Sequence, residues 1–300
     1  MLAIIIPFYK IAFFEQTLQS LANQTNQNFK VYIGDDASPE DCSKLLSQFE
    51  GKFDFTYHRF ENNLGGVSLT KQWERCIALS NQEPWLMLLG DDDVLGENVV
   101  EEFYKNYNAF KLKSNVVRLA SALNDYNKKN ISSVYQHPKW EKASDFYFRR
   151  FKGKTRSSLS EYFFRRTSYM KFGFRNYPLA WHSDDMAWID FADNKTIFTL
   201  NEAIIIIGFS DISLSGMVNN IKIKHQATEH FYKDLIKEKL KLFSKAQRLE
   251  LLLSYEVLIK KSRKLIFSEW MNLYYAYLIN FSFIPFLKFN KRIFTSIFSK

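Results

Sequence analysis

The chain has 300 residues, of which 46% are hydrophobic and 24% are charged, so it has enough apolar side chains for one large globular core or two modest ones and is not a disordered chain. Two cysteines without a C-x-x-C spacing argue against a disulfide framework and against a zinc cage. A formal net charge of +9 favours anionic partners, meaning nucleic acid, phosphorylated small molecules or an acidic membrane face, without choosing among them.

Four short apolar or β-branched runs in the first third of the chain predict strands separated by helix-length segments. These runs are AIIIPF at 3–8, KVYIG at 30–34, FTYHRF at 55–60 and WLMLL at 85–89. Because strands that alternate with helices pair in parallel, we expect an α/β fold with a mostly parallel sheet. The opening MLAIIIPFYK has no basic leader, so it predicts a strand rather than a signal peptide, and we expect a cytoplasmic protein.

The second predicted strand ends in two acidic residues. Ser38 is suited to be the N-cap of a helix, with Pro39 at its first position. We therefore expect Asp35 and Asp36 in the loop between this strand and that helix. Taken alone, such a pair is also what a simple helix-entry loop would carry, because the helix dipole favours acidic groups there.

The fourth predicted strand runs directly into the acidic cluster of LLGDDDVLGEN at 88–98. Asp91, Asp92 and Asp93 repel one another at neutral pH, so the cluster requires either solvent or a cation to neutralise it. A helix that begins near Asn98 closes this turn. Both acidic clusters follow predicted strands, and ligands of open α/β sheets bind at the carboxyl ends of the strands.

The middle of the chain is less regular. SNVVRLASAL at 114–123 predicts another strand, and a basic, aromatic stretch occupies 146–166. WHSDDMAWIDFA at 181–192 begins with charge and continues as an apolar helix, and TIFTLNEAIIIIGF at 196–209 supplies the last strands.

The last 75 residues carry most of the basic excess, interleaved with aromatic residues, and therefore mark a separate helical region. Its apolar stretch contains Glu269, Asn272, Asn280 and Pro285, so it makes a poor membrane span. Two interpretations stay open for it: it lies in the headgroup region of an anionic membrane, or it packs on the rest of the chain or on a partner subunit.

Four motifs in order, AIIIPFYK, LQSLANQTNQNFKVYIGDDASPED, NNLGG and LLGDDDVLGEN, resemble the signature of the inverting family 2 glycosyltransferases of the GT-A fold. The resemblance covers about the first 100 residues. It implies a Rossmann-like, mostly parallel mixed sheet flanked by helices, with a helical C-terminal extension. The expected organisation is a GT-A domain at 1–220, divided into a donor half at 1–110 and an acceptor half at 111–220, and a basic C-terminal region at 221–300.

The resemblance also implies a reaction. A sugar would move from a nucleotide-diphosphosugar, with a UDP-sugar as the expected donor, to a hydroxyl of a glycan or lipid-linked glycan in the synthesis of a cell-surface polysaccharide such as a capsule or O-antigen. No nucleic-acid partner is expected. Because the donor's diphosphate is anionic, acidic side chains can lie beside it only with Mn²⁺ or Mg²⁺ between them. A lipid-linked acceptor would suit a place on the inner face of the plasma membrane.

Individual site residues follow from the same resemblance. The positions that match the donor site are Pro7, Tyr9, Asp35, Asp36, Lys71 and Asp91. Asp92 matches the principal metal ligand, and Asp93 supports it. In HSDDMAW, Asp185 is the first choice for the general base and Asp184 the second, and Trp181 is a candidate for stacking on an acceptor sugar.

Two other functions are alternatives to a glycosyltransferase. A sugar nucleotidyltransferase usually opens with a glycine-rich, basic phosphate loop, which IIIPFYKIAFFEQ lacks. A non-catalytic, basic binding protein on the same fold would keep the sheet without the chemistry. The loss of activity on replacing Asp92 would exclude that second alternative.

Overall fold

The computed structural model describes residues 2–217 and 219–298. These residues form two compact units, and the boundary between them lies between Lys224 and His225. We call the segment before this boundary unit 1 and the segment after it unit 2.

Unit 1 is built on one mixed sheet, to which ten strands of the described residues belong. The strands are β1 (Leu2–Phe8), β2 (Phe29–Asp35), β3 (Phe55–Arg59), β4 (Trp85–Leu88), β5 (Val94–Leu95), β6 (Val116–Asp125), β7 (Asn130–Ile131), β8 (Trp140–Lys142), β9 (Tyr162–Arg165) and β10 (Thr196–Phe209). The order across the sheet is β3-β2-β1-β4-β9-β6-β10-β5, with β7 paired to β6 and β8 to β10. The strands β1 to β4 pair in parallel, as do β6 and β10, whereas β9 runs antiparallel to both of its neighbours.

Helices connect and flank these strands. The helices of the described chain are α1 (Phe14–Ala22), α2 (Ser43–Ser47), α3 (Leu69–Ala78), α4 (Val99–Phe110), α5 (Ala143–Phe151), α6 (Arg166–Phe172), α7 (Ser183–Ala192), α8 (Ile221–Asp234), α9 (Lys245–Ser262), α10 (Phe267–Ile279) and α11 (Phe283–Phe298). This arrangement confirms the predicted α/β class, the mostly parallel mixed sheet and the helical C-terminal region.

The strand β1 lies in the interior of the sheet and has an almost entirely apolar sequence. In β1, LAIIIPF, Ile4 lies beside Val31 of β2 on one side and beside Met87 of β4 on the other, and none of the three is exposed. A strand that is covered on both faces requires apolar residues at successive positions rather than at alternate ones. The run of isoleucines therefore suits β1 to an interior place in the sheet, between β2 and β4.

The predicted strands are confirmed in number and place for β1 to β4 and for β6. The stretch TIFTLNEAIIIIGF forms the single strand β10, rather than several, and its register against β6 shifts between Leu200 and Ile204. An irregularity of this kind bends a strand without ending it.

The predicted helix start at Ser38 is wrong, because α2 begins at Ser43. The Ser38 backbone N–H donates to Asp35 Oδ1 at 2.7 Å, and its hydroxyl donates to the carbonyl of Tyr9 at 2.7 Å. Ser38 thus fastens the loop after β2 to the end of β1. A local capping pattern could not reveal this competing partner, since Tyr9 follows another strand, β1.

Unit 2 is helical and has its own core. Leu252 and Ile259 of α9, Leu273 of α10 and Phe289 of α11 are all buried. The buried carboxylate of Glu256 accepts charged hydrogen bonds from Lys260 and Arg292. Across the described residues, none of the helices combines the length and the apolar content that a membrane crossing demands.

Candidate functional site

A cavity of about 600 Å³ opens in unit 1 at the carboxyl ends of β1, β2 and β4. The sequence-predicted residues that line it are Pro7, Tyr9, Asp36, Asp91, Asp92, Asp93, Trp181 and Asp184. Parts of the chain that are distant in sequence therefore meet at one edge of the sheet, because parallel strands all end on the same side.

Three predicted site residues do not line the cavity. Asp35 is the last residue of β2 and not part of the loop as predicted, and it is fully buried, accepting hydrogen bonds from the Tyr57 hydroxyl at 2.6 Å and from Arg59 at 2.8 Å. Lys71 lies on the exposed side of α3, and Asp185 is buried and does not line the cavity. Asp35 and Lys71 are therefore left out of the donor site proposed below.

Asp36 ties the NNLGG loop to the end of β2. Its two carboxylate oxygens accept hydrogen bonds from the backbone N–H groups of Leu64 at 2.7 Å and Gly65 at 2.8 Å. The guanidinium of Arg75 pairs with the same carboxylate and stacks on the ring of Phe60, 3.8 Å from its centroid. A Cβ atom on residue 65 would stand 2.5 Å from Asp36 Oδ2, so the close approach requires glycine there.

Two of the three consecutive aspartates hold their own turn in place. Asp91 Oδ2 accepts hydrogen bonds from the backbone N–H groups of Tyr9 and Lys10, each at 2.8 Å. Asp93 Oδ1 accepts one from the N–H of Gly208 at 2.9 Å. The turn after β4 is therefore fastened to the end of β1 on one side and to the end of β10 on the other.

Asp92 lies between Asp91 and Asp93 in the chain and does not anchor the turn. Burial, followed by the negative charges of Asp93 and Asp91, raises the pKa of Asp92 to about 8. Within the described residues its carboxylate accepts no hydrogen bond from another residue, although its own backbone N–H reaches it. A carboxylate in this condition gains free energy from a cation placed beside it.

The carboxylate oxygens at this turn suit a hard divalent cation that is held partly by the protein and partly by a bound substrate. Among the described residues, no three or more His, Cys, Asp or Glu side chains are grouped as a metal-binding set. Mg²⁺ is usually bound by one or two carboxylates together with phosphate oxygens of a substrate, rather than by an all-protein cage. One available carboxylate, Asp92, in a cavity at the strand ends fits that pattern.

The acidic pair at the start of α7 is split between two environments. Asp184 lines the cavity, and burial together with the charge of Asp185 raises the pKa of Asp184 to about 7. Burial alone would also raise the pKa of Asp185, but Arg150 at 2.8 Å and His182 at 2.7 Å outweigh it and hold that pKa below its ordinary value. The pair therefore holds one carboxylate that titrates near neutral pH and one that stays ionised.

The backbone that enters α7 is strained. Leu179, Ala180 and His182 have φ angles of 57°, 51° and 70°, which L-residues other than Asn and Asp rarely adopt. Each costs on the order of 1–3 kcal/mol, and such residues cluster where ligands bind. Trp181, in the same segment, has the ammonium of Lys224 at 4.7 Å from its ring centroid.

Sequence reasoning assigned no role to several groups that the structure brings to the site. Arg150 and Arg156 line the cavity, and Arg156 pairs with the buried carboxylate of Glu161. The only signal was the basic, aromatic stretch that contains all three residues. Arg75, which holds Asp36, was missed as well.

Comparison with known proteins bears on the family and the fold. A family model described as Glycosyl transferase family 2 matches residues 3–177, whereas no curated protein matches the chain. The crystal structure of S. aureus TarS 1-349 in complex with UDP-GlcNAc is similar with a TM-score of 0.65 at 13% identity, covering 93% of this chain and 80% of that one. The same segment in complex with UDP gives a TM-score of 0.62 at 13% identity, covering 95% and 82%.

The match to a longer TarS chain is partial. The crystal structure of S. aureus TarS gives a TM-score of 0.61 at 12% identity and covers 95% of this chain but 50% of that one, so the present chain spans half its length. At such identities the likeness shows a shared fold and no more.

Proposed function

The chain belongs to glycosyl transferase family 2, and from that premise we propose that this glycosyltransferase moves a sugar from a nucleotide-diphosphosugar to a hydroxyl of a glycan or lipid-linked glycan, with inversion at the anomeric carbon. The observation that carries the proposal is that Asp92 and Asp184, from acidic motifs far apart in sequence, line one cavity. A leaving diphosphate needs a positive charge beside it, which a cation held by Asp92 would supply. An attacking hydroxyl needs a base, which Asp184 would supply.

The proposed donor is a UDP-sugar, bound mainly by the half of the chain at 1–110. Support comes from the TarS segment, whose crystal structures hold UDP-GlcNAc and UDP. We assign Pro7, Tyr9, Asp36 and Asp91 to the walls around the nucleotide. Asp36 and Asp91 already accept hydrogen bonds from loop backbone, so they shape this wall as well as contact the ligand.

We assign Asp92 to the divalent cation, Mn²⁺ or Mg²⁺. The cation supplies charge neutralisation for the departing diphosphate when it is bound. Asp93 lies beside Asp92 but is hydrogen-bonded to Gly208, so its part is to hold the turn that presents Asp92. The sequence had assigned both aspartates to the metal, and the geometry favours Asp92 alone.

The proposed general base is Asp184 rather than Asp185. A base must reach the proton that it removes, and Asp184 lines the cavity, whereas Asp185 is 3% exposed and bound to Arg150 and His182. A pKa of about 7 also lets Asp184 take the proton of the acceptor hydroxyl near neutral pH. The ionised Asp185 acts as a positioning residue, because its charge raises the pKa of the base.

The half of the chain at 111–220 is proposed to bind the acceptor, with Trp181 as the stacking surface for a sugar ring. Lys224 lies over the ring of Trp181, so stacking would use the opposite face or displace the lysine. A role in cell-surface polysaccharide synthesis at the inner face of the plasma membrane is part of this proposal and is supported by the family resemblance alone.

Calorimetric titration of the intact chain with UDP, GDP, CDP and dTDP, each with and without Mn²⁺, tests the donor site. We expect one nucleotide, UDP, to bind in a metal-dependent manner, and Asp92→Asn to weaken that binding by at least about tenfold. Asp54→Asn is the matched control, since Asp54 is an exposed acid that pairs with Lys30 and lies outside the cavity.

Three results would contradict the proposal. Metal-independent binding would remove the role of Asp92, and the absence of binding to all four nucleotides would remove the donor site. Tight, metal-dependent binding without any release of UDP from UDP-sugars in the presence of glycan acceptors would favour the non-catalytic binding protein.

A further inference from the structure

Unit 2 carries an exposed apolar surface along its last two helices. Six side chains define it, and between 49% and 80% of each is exposed: Phe267, Met271 and Tyr275 of α10, and Phe283, Leu287 and Phe294 of α11. We call this surface the α10–α11 face. On each helix the residues recur every three or four positions or at a multiple of that spacing, so they lie along one side.

The opposite sides of the same helices are packed normally. Trp270, Leu273 and Tyr277 of α10 and Phe289 of α11 are buried, and the rings of Tyr277 and Phe289 stack at 4.2 Å. Both helices therefore present apolar residues to the interior and to the outside. A surface helix of a soluble domain ordinarily has a polar outer side. An outer side that is apolar therefore indicates a docking surface.

The charged residues of α11 are all basic. Lys288 and Lys291 are exposed on α11, and the sequence from 270 to 300 contains no Asp or Glu. Across 225–300 there are 14 Lys and Arg against 6 Asp and Glu, a net charge of +8. Glu256 of α9 and Glu269 of α10 are both paired with arginines: Glu256 accepts from Arg292, and Glu269 accepts from Arg263.

We propose that the α10–α11 face docks on the surface of an anionic lipid bilayer, with both helices parallel to the membrane plane. Apolar and aromatic side chains would enter the boundary between headgroups and acyl chains, while Lys288 and Lys291 contact lipid phosphates. A second copy of this chain is a poorer occupant, because a two-fold contact would bring the same lysines together. The helices themselves fall short of a membrane span.

Vesicle flotation with the intact chain tests this proposal. We expect binding to vesicles of 70% phosphatidylcholine and 30% phosphatidylglycerol, and much weaker binding to pure phosphatidylcholine. Lys288→Gln with Lys291→Gln should lower the partition coefficient by roughly 25-fold, because each basic residue near an anionic surface contributes about a fivefold factor. Phe283→Glu with Leu287→Glu should abolish binding.

Leu112→Glu is the matched control, since Leu112 is an exposed apolar residue of unit 1, 80% exposed, and its replacement should leave flotation unchanged. Circular dichroism and light scattering establish that each variant is folded and give its oligomeric state. No flotation of the intact chain, or equal flotation of all variants, would overturn the proposal. A dimer that the Phe283 and Leu287 variant dissociates, without vesicle binding, would instead assign the face to a second copy.

This inference deepens the membrane location that the proposed function includes, and its test is separate from the test of the donor site. The nucleotide titration depends on Asp92 in unit 1, and the flotation depends on α10 and α11 in unit 2. Either proposal can fail while the other stands.

Discussion

At the scale of single residues, the most informative feature is a pair of adjacent aspartates with opposite pKa shifts. The pKa of Asp184 is raised to about 7, whereas Arg150 and His182 hold the pKa of Asp185 below its ordinary value. The two carry the same side chain on the same helical turn, so the difference comes entirely from what each one faces. Separation of this kind is how neighbouring carboxyls acquire different tasks.

The pH dependence of the reaction follows from that assignment. The base must be deprotonated, so kcat/KM should be lost as the pH falls through about 7. Asp184→Asn should lower kcat by about 10²–10⁴-fold while UDP binding is kept. Asp185→Asn should move the acidic limb of the profile to lower pH, because it removes a like charge and leaves Arg150 nearby. An unshifted limb in this variant would contradict the arrangement.

Stability should respond in the opposite direction to activity. The folded-state pKa of Asp184 lies above its unfolded value, so this group costs no stability below the unfolded pKa and lowers the free energy of unfolding as the pH rises towards about 7. Urea titrations should therefore find Asp184→Asn more stable than the parent chain at pH 8, with the difference shrinking towards pH 4.

At the scale of elements, the site depends on how closely β10 approaches the turn after β4. A Cβ atom on residue 208 would stand 2.4 Å from the backbone carbonyl of Asp92, and the N–H of Gly208 donates to Asp93. The end of one strand thus sets the position of the acidic turn on another. Only glycine allows this approach, since backbone atoms cannot yield as a flexible side chain does.

Gly208→Ala should therefore damage the site through the backbone. Displacement of Asp92 is expected to weaken metal-dependent nucleotide binding by tenfold or more and to cost about 1–3 kcal/mol of stability. Calorimetry and urea denaturation measure the two effects. Gly96→Ala is the control, because its new Cβ would also meet a backbone atom, the carbonyl oxygen of Ile204 at 2.8 Å, but residue 96 does not line the cavity. Equal losses of nucleotide binding in both variants would show that the close contact has no special importance.

At the scale of the whole molecule, unit 1 holds a buried ionic network that joins three strands and a helix. Arg118 of β6 is fully buried, donates to Glu141 of β8 and Thr199 of β10 at 2.9 Å each, and lies over the ring of Phe146. Glu141 also accepts two hydrogen bonds from Arg149 of α5. Two cations thus share one carboxylate, which makes the acid the critical member.

Removal of the acid should cost more than removal of the buried arginine. Glu141→Gln leaves Arg118 charged and buried without its hydrogen-bonded carboxylate, so we expect a loss of about 3–5 kcal/mol in the free energy of unfolding. Arg118→Met leaves Glu141 paired with Arg149 and removes two guanidinium nitrogens that have no partner, so its cost should be less than half as large. Urea denaturation of both variants decides, and the reverse order would contradict the shared-carboxylate argument.

The sequence by itself determined the longer strands β1 to β4, β6 and β10, the class of the fold and the family. Continuous apolar runs such as that of β1, the apolar helix of WHSDDMAWIDFA and the position of the acidic clusters after strands are local patterns, and each is set by residues a few positions apart. Ordered motifs over the first 100 residues sufficed for the family for the same reason.

Only the tertiary structure decided which member of each acidic cluster faces the cavity. Asp35 is buried by Tyr57 and Arg59 of the next strand, and Asp185 by Arg150 of a helix that lies well before it in the chain. Whether a carboxylate is solvated, paired or pressed against like charges depends on groups brought from distant segments. Burial and long-range charge therefore distinguish the aspartates that hold loops in place from the two that the proposed chemistry uses. Neither burial nor long-range charge can be read from a local sequence pattern.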